Sequence, residues 1–207
     1  MNSKTTFSIV HIITRLDLGG SAENTLVSAI GQARNGHAVT ILCGQSDNPP
    51  SKNERHAREL GIQIVSLPRL VRSIAPIRDL CSLWALFRYL QRNRFDIVHT
   101  HTSKAGILGR IAAKCARAPA VIHTPHGHIF YGYFSVPVTR FFMVLERVLM
   151  RFTDRQITLT RGEKHDYCIR HIGTARQMEV IYSGVALHPF LDCSTHPRTL
   201  FSLSISL

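Results

Sequence analysis

The chain is short of acid. Its 207 residues hold 13 Asp and Glu against 25 Lys and Arg, a formal charge of +12 at pH 7. That balance favours an anionic partner. Nucleic acid, anionic lipid and a nucleotide or phosphate substrate all qualify on charge alone. Cysteine is sparse and unpatterned. Cys43, Cys81, Cys115, Cys168 and Cys193 are odd in number, scattered, and form no CxxC. Such usage points to a reducing compartment and speaks against a disulfide framework or a zinc knuckle. No apolar run reaches the ~18 residues that a membrane-spanning helix needs. The opening MNSKTTFSIVHII has one Lys and no small-residue cleavage site after its apolar run. It therefore reads as a buried first strand and not as a signal peptide, and the expected location is the cytoplasm. Several catalytic signatures are missing too. The lack of GxGxxG disfavours a nicotinamide or flavin dehydrogenase, and the lack of HExxH a metalloprotease. The lack of GxSxG and GxxxxGK[ST] disfavours a serine hydrolase and a nucleoside triphosphatase. No recognised motif turns the positive charge into a nucleic-acid site, so no nucleic-acid partner is expected.

What is present is a regular alternation. The composition is 44% hydrophobic, enough for a globular core within one large domain. Short β-branched runs at 7–13, 39–43, 62–65, 96–100, 120–124, 156–159 and 179–182 read as strands. Helical patterns fill 22–35, 51–60, 77–94, 104–117, 137–152 and 162–171. This order predicts an α/β fold of the Rossmann-like, doubly wound kind, with a parallel sheet of about seven strands and helices on both faces. Nearly continuous apolar runs such as Phe7-Ser-Ile-Val-His-Ile-Ile13 suit a sheet covered on both sides. Ligands of such folds sit beyond the carboxyl ends of the strands, so the loops after strands one, four, five and seven are the ones to inspect. Residues 192–207 carry four Ser and no domain-like pattern, and read as a loose tail.

The loop after strand one is Asp17-Leu-Gly-Gly-Ser-Ala-Glu23. Gly19 and Gly20 let the backbone approach a ligand, and the next helix offers free N–H groups and a positive dipole end. A phosphate suits that place, although two glycines also make a tight turn without any ligand. The loop after strand four is His99-Thr-His-Thr-Ser-Lys-Ala-Gly-Ile-Leu-Gly-Arg110. His99 and His101 share a face if the strand runs that far. Ser103 is placed to cap the following helix, and Gly106 and Gly109 permit close packing on the sheet. Lys104 falls in the first helical turn, where its charge opposes the dipole; it is either solvated or beside an anion. The loop after strand five, His123-Thr-Pro-His-Gly-His-Ile-Phe-Tyr-Gly-Tyr-Phe134, joins imidazoles, a glycine and aromatics that suit sugar rings and phosphates. Gly127 allows an unusual backbone angle that presents His126. The histidines at 99, 101, 123, 126 and 128 raise the question of zinc. With carboxylates scarce and cysteines elsewhere, no metal and no cofactor is expected.

Two helices are basic and amphipathic. One carries Leu80, Leu83, Trp84, Phe87 and Leu90 with Arg88, Arg92 and Arg94 around them. The other carries Phe141, Leu145, Val148, Leu149 and Phe152 with Arg140, Arg147 and Arg151. Most of each stripe is expected to face the core. Contact with an anionic membrane surface is the second use such helices have.

Three loops taken in order resemble bacterial family 4 glycosyltransferases. They are Asp17 to Glu23, Asp96 to Arg110, and His123 to Gly127 followed by Phe130-Tyr-Gly-Tyr-Phe134. Leu145-Glu-Arg147, Thr153-Asp154, Ile157-Thr-Leu-Thr160 and Val180-Ile-Tyr-Ser-Gly-Val185 continue the likeness in the same order. The resemblance implies the GT-B architecture, two Rossmann-like domains facing across a cleft, with the acceptor held mainly by the first and the nucleotide-sugar donor mainly by the second. It implies sugar transfer with retention of configuration and no metal. It also implies that Gly19 and Gly20 face the donor diphosphate and that His126 sits near the transferred sugar. Gly127 would shape that loop, and Ser103 and Lys104 would line the same cleft. The acceptor would be lipid-linked or a saccharide, in polysaccharide biosynthesis, on the inner face of the cell membrane. The expected layout is an N-terminal, acceptor-side domain over 1–190 and a disordered or aberrant tail over 191–207, with the C-terminal donor domain absent. Ala186 stands where the family often has an acidic residue. Such a half is expected to be inactive alone. The alternative is a non-catalytic module that docks on a membrane or on a partner chain.

Overall fold

The computed structural model describes residues 6–17, 19–46, 48–127 and 135–184. Seven strands form one sheet: β1 (Ser8–Ile13), β2 (Ala38–Cys43), β3 (Gln63–Ser66), β4 (Ile97–His101), β5 (Ala120–Thr124), β6 (Arg155–Thr158) and β7 (Met178–Val180). The helices between them are α1 (Gly20–Arg34), α2 (Lys52–Glu59), α3 (Pro76–Asn93), α4 (Ser103–Cys115), α5 (Val136–Leu149) and α6 (Arg161–Ile169). Short 3-10 turns add Met150–Phe152 after α5 and Ala175–Gln177 before β7. The strand order is β3-β2-β1-β4-β5-β6-β7 and every pairing is parallel. The chain therefore winds outward from β1 in one direction and from β4 in the other, and the switch point lies between those two strands.

Side-chain alternation explains the double cover. On one face Val10, Ile12, Val98 and Val121 pack against Leu86 and Leu90 of α3 and Ala105, Ala112 and Ala113 of α4. On the other, Ile13, Val39, Ile41 and Cys43 pack against Leu26, Ala29 and Ile30 of α1 and Ala57 of α2. A third cluster, Met150, Tyr167, Ile172 and Met178, seats α6 beside β7. The expected glycine packing under α4 is present. A Cβ on Gly106 would overlap Cε1 of His123, and one on Gly109 would lie 2.6 Å from Cγ2 of Thr100. Arg110 is buried on the same helix. It donates from Nη2 to both Glu146 oxygens at 2.7 and 2.9 Å, and from Nε to the Gly106 carbonyl, which ties α4 to α5.

Helix ends follow local chemistry. Ser51 accepts from the Glu54 N–H and Thr160 from the Glu163 N–H, each a side-chain cap. The first residue of α4 is Ser103, whereas its N-cap is Thr102, whose φ is 60°. Ser103 thus does not cap the helix as its residue type suggested; the strand runs on through His101 and shifts the cap by one residue. Five helices are followed by a left-handed residue one or two positions past their last residue: Gly36 (φ 87°), Gly61 (81°), Arg94 (48°), Arg117 (56°) and His171 (54°).

The amphipathic stripe of α3 divides. Leu83, Phe87 and Leu90 pack on the core, while Leu80 and Trp84 face outward together with Ile77. On α5, Leu149 is buried, and Phe141, Val144 and Val148 are exposed. Among the described residues no helix is long and apolar enough to cross a membrane. Cys43, Cys81, Cys115 and Cys168 are free thiols. The aromatic loop Phe130 to Phe134, His128, the segment 185–190 and the tail 191–207 lie outside the described residues.

Candidate functional site

The site is the carboxyl edge of the sheet around the switch point. Three loops meet there, after β1, β4 and β5. Asp17 stiffens the first by pairing with Arg15 at 2.7 Å and accepting from Ser46 Oγ at 2.6 Å. Thr14 and Thr102 join the first two loops through their hydroxyls at 3.3 Å. Gly44 supports this corner from β2. Its N–H donates to the Thr14 carbonyl at 2.9 Å, and a Cβ there would sit 2.5 Å from that same oxygen.

Gly19 and Gly20 are exposed at the start of α1. Gly19 has extended backbone, neither glycine lies in the left-handed region, and a Cβ on either would meet nothing within 4 Å. The fold itself does not demand glycine at these positions. The first backbone bond of the helix runs from the Glu23 N–H to the Gly19 carbonyl, and no side chain caps the turn. The N–H groups ahead of Glu23 are thus turned out at the positive end of a helix of 15 residues.

His126 follows β5 in the left-handed region, φ 58°, and Gly127 continues at φ 108°. Two consecutive positive angles turn the chain sharply, and at Gly127 the missing Cβ makes that turn inexpensive. His126 is half-buried, and its Nε2 lies 2.9 Å from Nδ1 of His101. Burial lowers its pKa to about 4. His101 in turn reaches His11 of β1, with Nε2 2.9 Å from His11 Nδ1. His11 Nε2 meets Gln32 Oε1 of α1 at 2.7 Å. The expected shared face of His99 and His101 exists, with ring centroids 4.1 Å apart, and β1 adds His11 to it because His11 pairs with His99 in register. Desolvation by burial is the main cause that holds His11 at about 4 and His99, His101 and His123 well below the ordinary imidazole value, and neighbouring imidazoles push His99 and His101 further.

Neither His99 nor His123 belongs to that row. His99 Nε2 bonds Thr124 Oγ1 at 2.8 Å, while His123 Nδ1 bonds the Thr100 hydroxyl at 2.9 Å and the Thr100 carbonyl at 3.1 Å. His11, His99 and His101 bring ring nitrogens within 4.8 Å of one another, the spacing of a three-imidazole metal ligand set. An ion there would displace the bond between His11 and His101 and would find no carboxylate or thiolate in the set.

Lys104 reaches from the first turn of α4 to the first turn of α3. Its ammonium pairs with Asp79 of α3 at 2.5 Å and contacts the Ser73 carbonyl. The anion beside Lys104 in this structure is therefore Asp79. Ser103 is exposed one residue earlier. Sequence reasoning missed His11 and Gln32. The available signal was parity. His11 sits mid-strand in an apolar run, and a parallel neighbour carrying His-x-His puts all three rings on one face once the register is known.

Over 125 residues the chain is 40% identical to an Escherichia coli protein named UDP-Gal:alpha-D-GlcNAc-diphosphoundecaprenol alpha-1,3-galactosyltransferase; the match covers 60% of this chain and 32% of that one. Among solved structures it is similar to a glycosyltransferase from Rickettsia africae ESF-5, with TM-score 0.66 and 14% identity over 93% of this chain and 47% of that one. MurG of Acinetobacter baumannii gives TM-score 0.56 and 15% identity, over 92% and 50%. The lipopolysaccharide outer core galactosyltransferase WaaB gives 0.57 and 16%, over 87% and 46%. At such identities these structures show the fold, one Rossmann-like half of a GT-B architecture. The chain spans about half the length of those structures and 32% of the E. coli relative. Residues 18–188 match the sequence profile of Glycosyltransferase Family 4, and the chain belongs to that family.

Proposed function

We propose that this chain is the acceptor-side half of a retaining glycosyltransferase, which moves a sugar from a nucleotide-sugar donor to a lipid-linked or saccharide acceptor. One observation carries the reading. Gly19 and Gly20 remain glycine where the fold leaves open space for a side chain, on the same sheet edge as half-buried His126. Close approach by a ligand accounts for a glycine pair that packing does not require.

The chemistry fits that edge. Cleaving a sugar from a nucleotide diphosphate builds positive character on the sugar and negative charge on the leaving phosphate. Preorganised N–H groups that meet the developing charge lower the barrier. The first turn of α1 supplies such groups, and a neutral imidazole at His126 offers a hydrogen bond to the transferred sugar. Gly127 shapes the His126 loop, and Ser103 and Lys104 border the cleft, where a phosphate would compete with Asp79 for the ammonium. The reading calls for no metal and no cofactor. We assign residues 1–190 to this domain and 191–207 to a tail, and place the donor-binding domain outside these 207 residues. The substrates named for the E. coli relative favour a UDP-sugar donor and a polyprenyl-diphosphate-linked sugar as acceptor. A lipid-linked acceptor suits a cytoplasmic protein lying peripherally on the inner face of the membrane. The exposed Ile77, Leu80 and Trp84 of α3, with Arg88 at 5.8 Å from the Trp84 ring, form a surface for that contact.

Calorimetry with a water-soluble GlcNAc-diphosphate lipid analogue tests the acceptor assignment. Saturable binding by the purified chain is expected, with no transfer from labelled UDP-galactose. Absence of binding would falsify the acceptor role. Efficient transfer by this chain alone would show that the donor site lies within the 207 residues.

A further inference from the structure

His126 is the outer end of a row of hydrogen bonds that begins on α1. The row runs from Gln32 Oε1 to His11 Nε2 at 2.7 Å, from His11 Nδ1 to His101 Nε2 at 2.9 Å, and from His101 Nδ1 to His126 Nε2 at 2.9 Å. An amide oxygen can only accept, so the proton of that first bond sits on His11 Nε2. A neutral imidazole carries one N–H. His11 Nδ1 is then a lone pair, and it must accept from His101 Nε2–H. The same step repeats. His101 Nδ1 accepts from His126 Nε2–H, and His126 is left with a lone pair at Nδ1, which no other described residue bonds. Burial keeps the rings neutral, as the direction of all three pKa shifts shows.

We propose that Gln32 is a positioning residue that sets the tautomer of His126 through His11 and His101, leaving His126 Nδ1 as an acceptor for a sugar hydroxyl. The tautomer itself follows from the bonds of this structure. Its use toward a sugar rests on the function proposed above. Were Gln32 to present its amide N–H₂ instead, every bond in the row would reverse, and His126 would turn a donor outward. The identity of one amide atom on α1 thus decides whether the cleft meets a donor or an acceptor at this ring. Neither His99 nor His123 offers an alternative route, because each is tied to a threonine of the neighbouring strand.

The tautomers are read from two-bond ¹H–¹⁵N correlations of the histidine rings in the labelled 207-residue chain at neutral pH. The expected pattern is Nε2–H for His11, His101 and His126. Gln32→Glu keeps an acceptor and is expected to retain it. Gln32→Met removes the acceptor at similar volume and is expected to shift His126 to a mixture of both tautomers, with the backbone amide spectrum otherwise preserved. An Nδ1–H form of His126 in the parent chain overturns the proposal. So does an unchanged His126 pattern in Gln32→Met. UDP-galactose and the GlcNAc-diphosphate analogue are then added in turn. A shift at His126 Nδ1 with either one supports the sugar contact. If the tautomers are as stated and neither ligand moves that nitrogen, the relay holds and the sugar contact at His126 fails.

Discussion

Nδ1 of His11 lies 2.9 Å from Nε2 of His101, across the switch point of the sheet and 90 positions away in the chain. The contact is possible because both strands run parallel in register, with His11 opposite His99 and His101 one alternation further on. It commits the fold to keeping buried imidazoles neutral.

That commitment gives a pH dependence. In the unfolded chain a histidine takes up a proton near pH 6.5, whereas in the folded chain His11 and His126 do so only at about 4. Between those values the unfolded state binds more protons, so stability rises with pH across the window. The contribution is fully present above about pH 6.5 and is lost as pH falls toward about 4. His99, His101 and His123 shift in the same direction and add to the effect. Urea midpoints measured from pH 8 down to pH 4.5 are expected to hold steady and then to drop. A flat profile down to pH 5 would show that the rings are not buried as described.

The glycines separate packing from ligand approach. Gly106→Ala drives a methyl into the His123 ring and is expected to cost about 1–3 kcal/mol, the range for overpacking. Gly19→Ala and Gly20→Ala enter open space and are expected to change stability by no more than ~0.5 kcal/mol. The ligand-binding order is the reverse. The Gly19 and Gly20 variants are expected to lose affinity for a diphosphate ligand, and thermal melts alongside UDP titrations separate the two behaviours.

Arg110 and Glu146 form a buried pair between α4 and α5. Removing one partner strands a charge in the interior, at a cost of about 3–5 kcal/mol. Glu146→Ala is expected to show a loss of that size in chemical denaturation. Arg110→Met combined with Glu146→Leu is expected to recover most of it, because no lone charge remains. A double variant as weak as the single one would assign the loss to packing instead.

Trp84 is the single tryptophan of the chain and stands 61% exposed beside Arg88. If α3 meets a lipid surface, its emission reports the contact directly. Vesicles containing anionic lipid are expected to shift the emission to the blue at low salt, and raised salt is expected to reverse the shift as the Debye length contracts from about 30 Å at 0.01 M to about 3 Å at 1 M. Leu80→Glu is expected to abolish it. No shift with any vesicle would remove α3 as the contact.

Much of this fold is legible in the sequence. β5 spans 120–124 as expected, and most other boundaries move by one or two residues. Strands buried on both faces have long apolar runs, and helices that end at glycine carry their own stop signal, as after α1 and α2. The expectation for α5 ran on to Phe152, but the chain tightens into a 3-10 turn from Met150 onward. The site was less legible. Lys104 and Asp79, or Arg110 and Glu146, come together only through helix packing, which depends on three-dimensional placement that local pattern does not encode. His11 looked like one polar residue in an apolar strand. Its role depends on register with β4 and on a glutamine one helix away. The stripe of α3 was visible as apolar, yet which of its residues face the core follows from where α4 lies beside it.

The left-handed helix ends have a further consequence. All lie at the amino edge of the sheet, opposite the loops around Gly19 and His126. Arg94, Arg117 and His171 hold a conformation that costs a residue with a Cβ roughly 1–2 kcal/mol and costs glycine little. The fold thus keeps reserves of stability at the edge remote from those loops, where a change to glycine can firm the scaffold for engineering while the candidate site on the other edge is left alone.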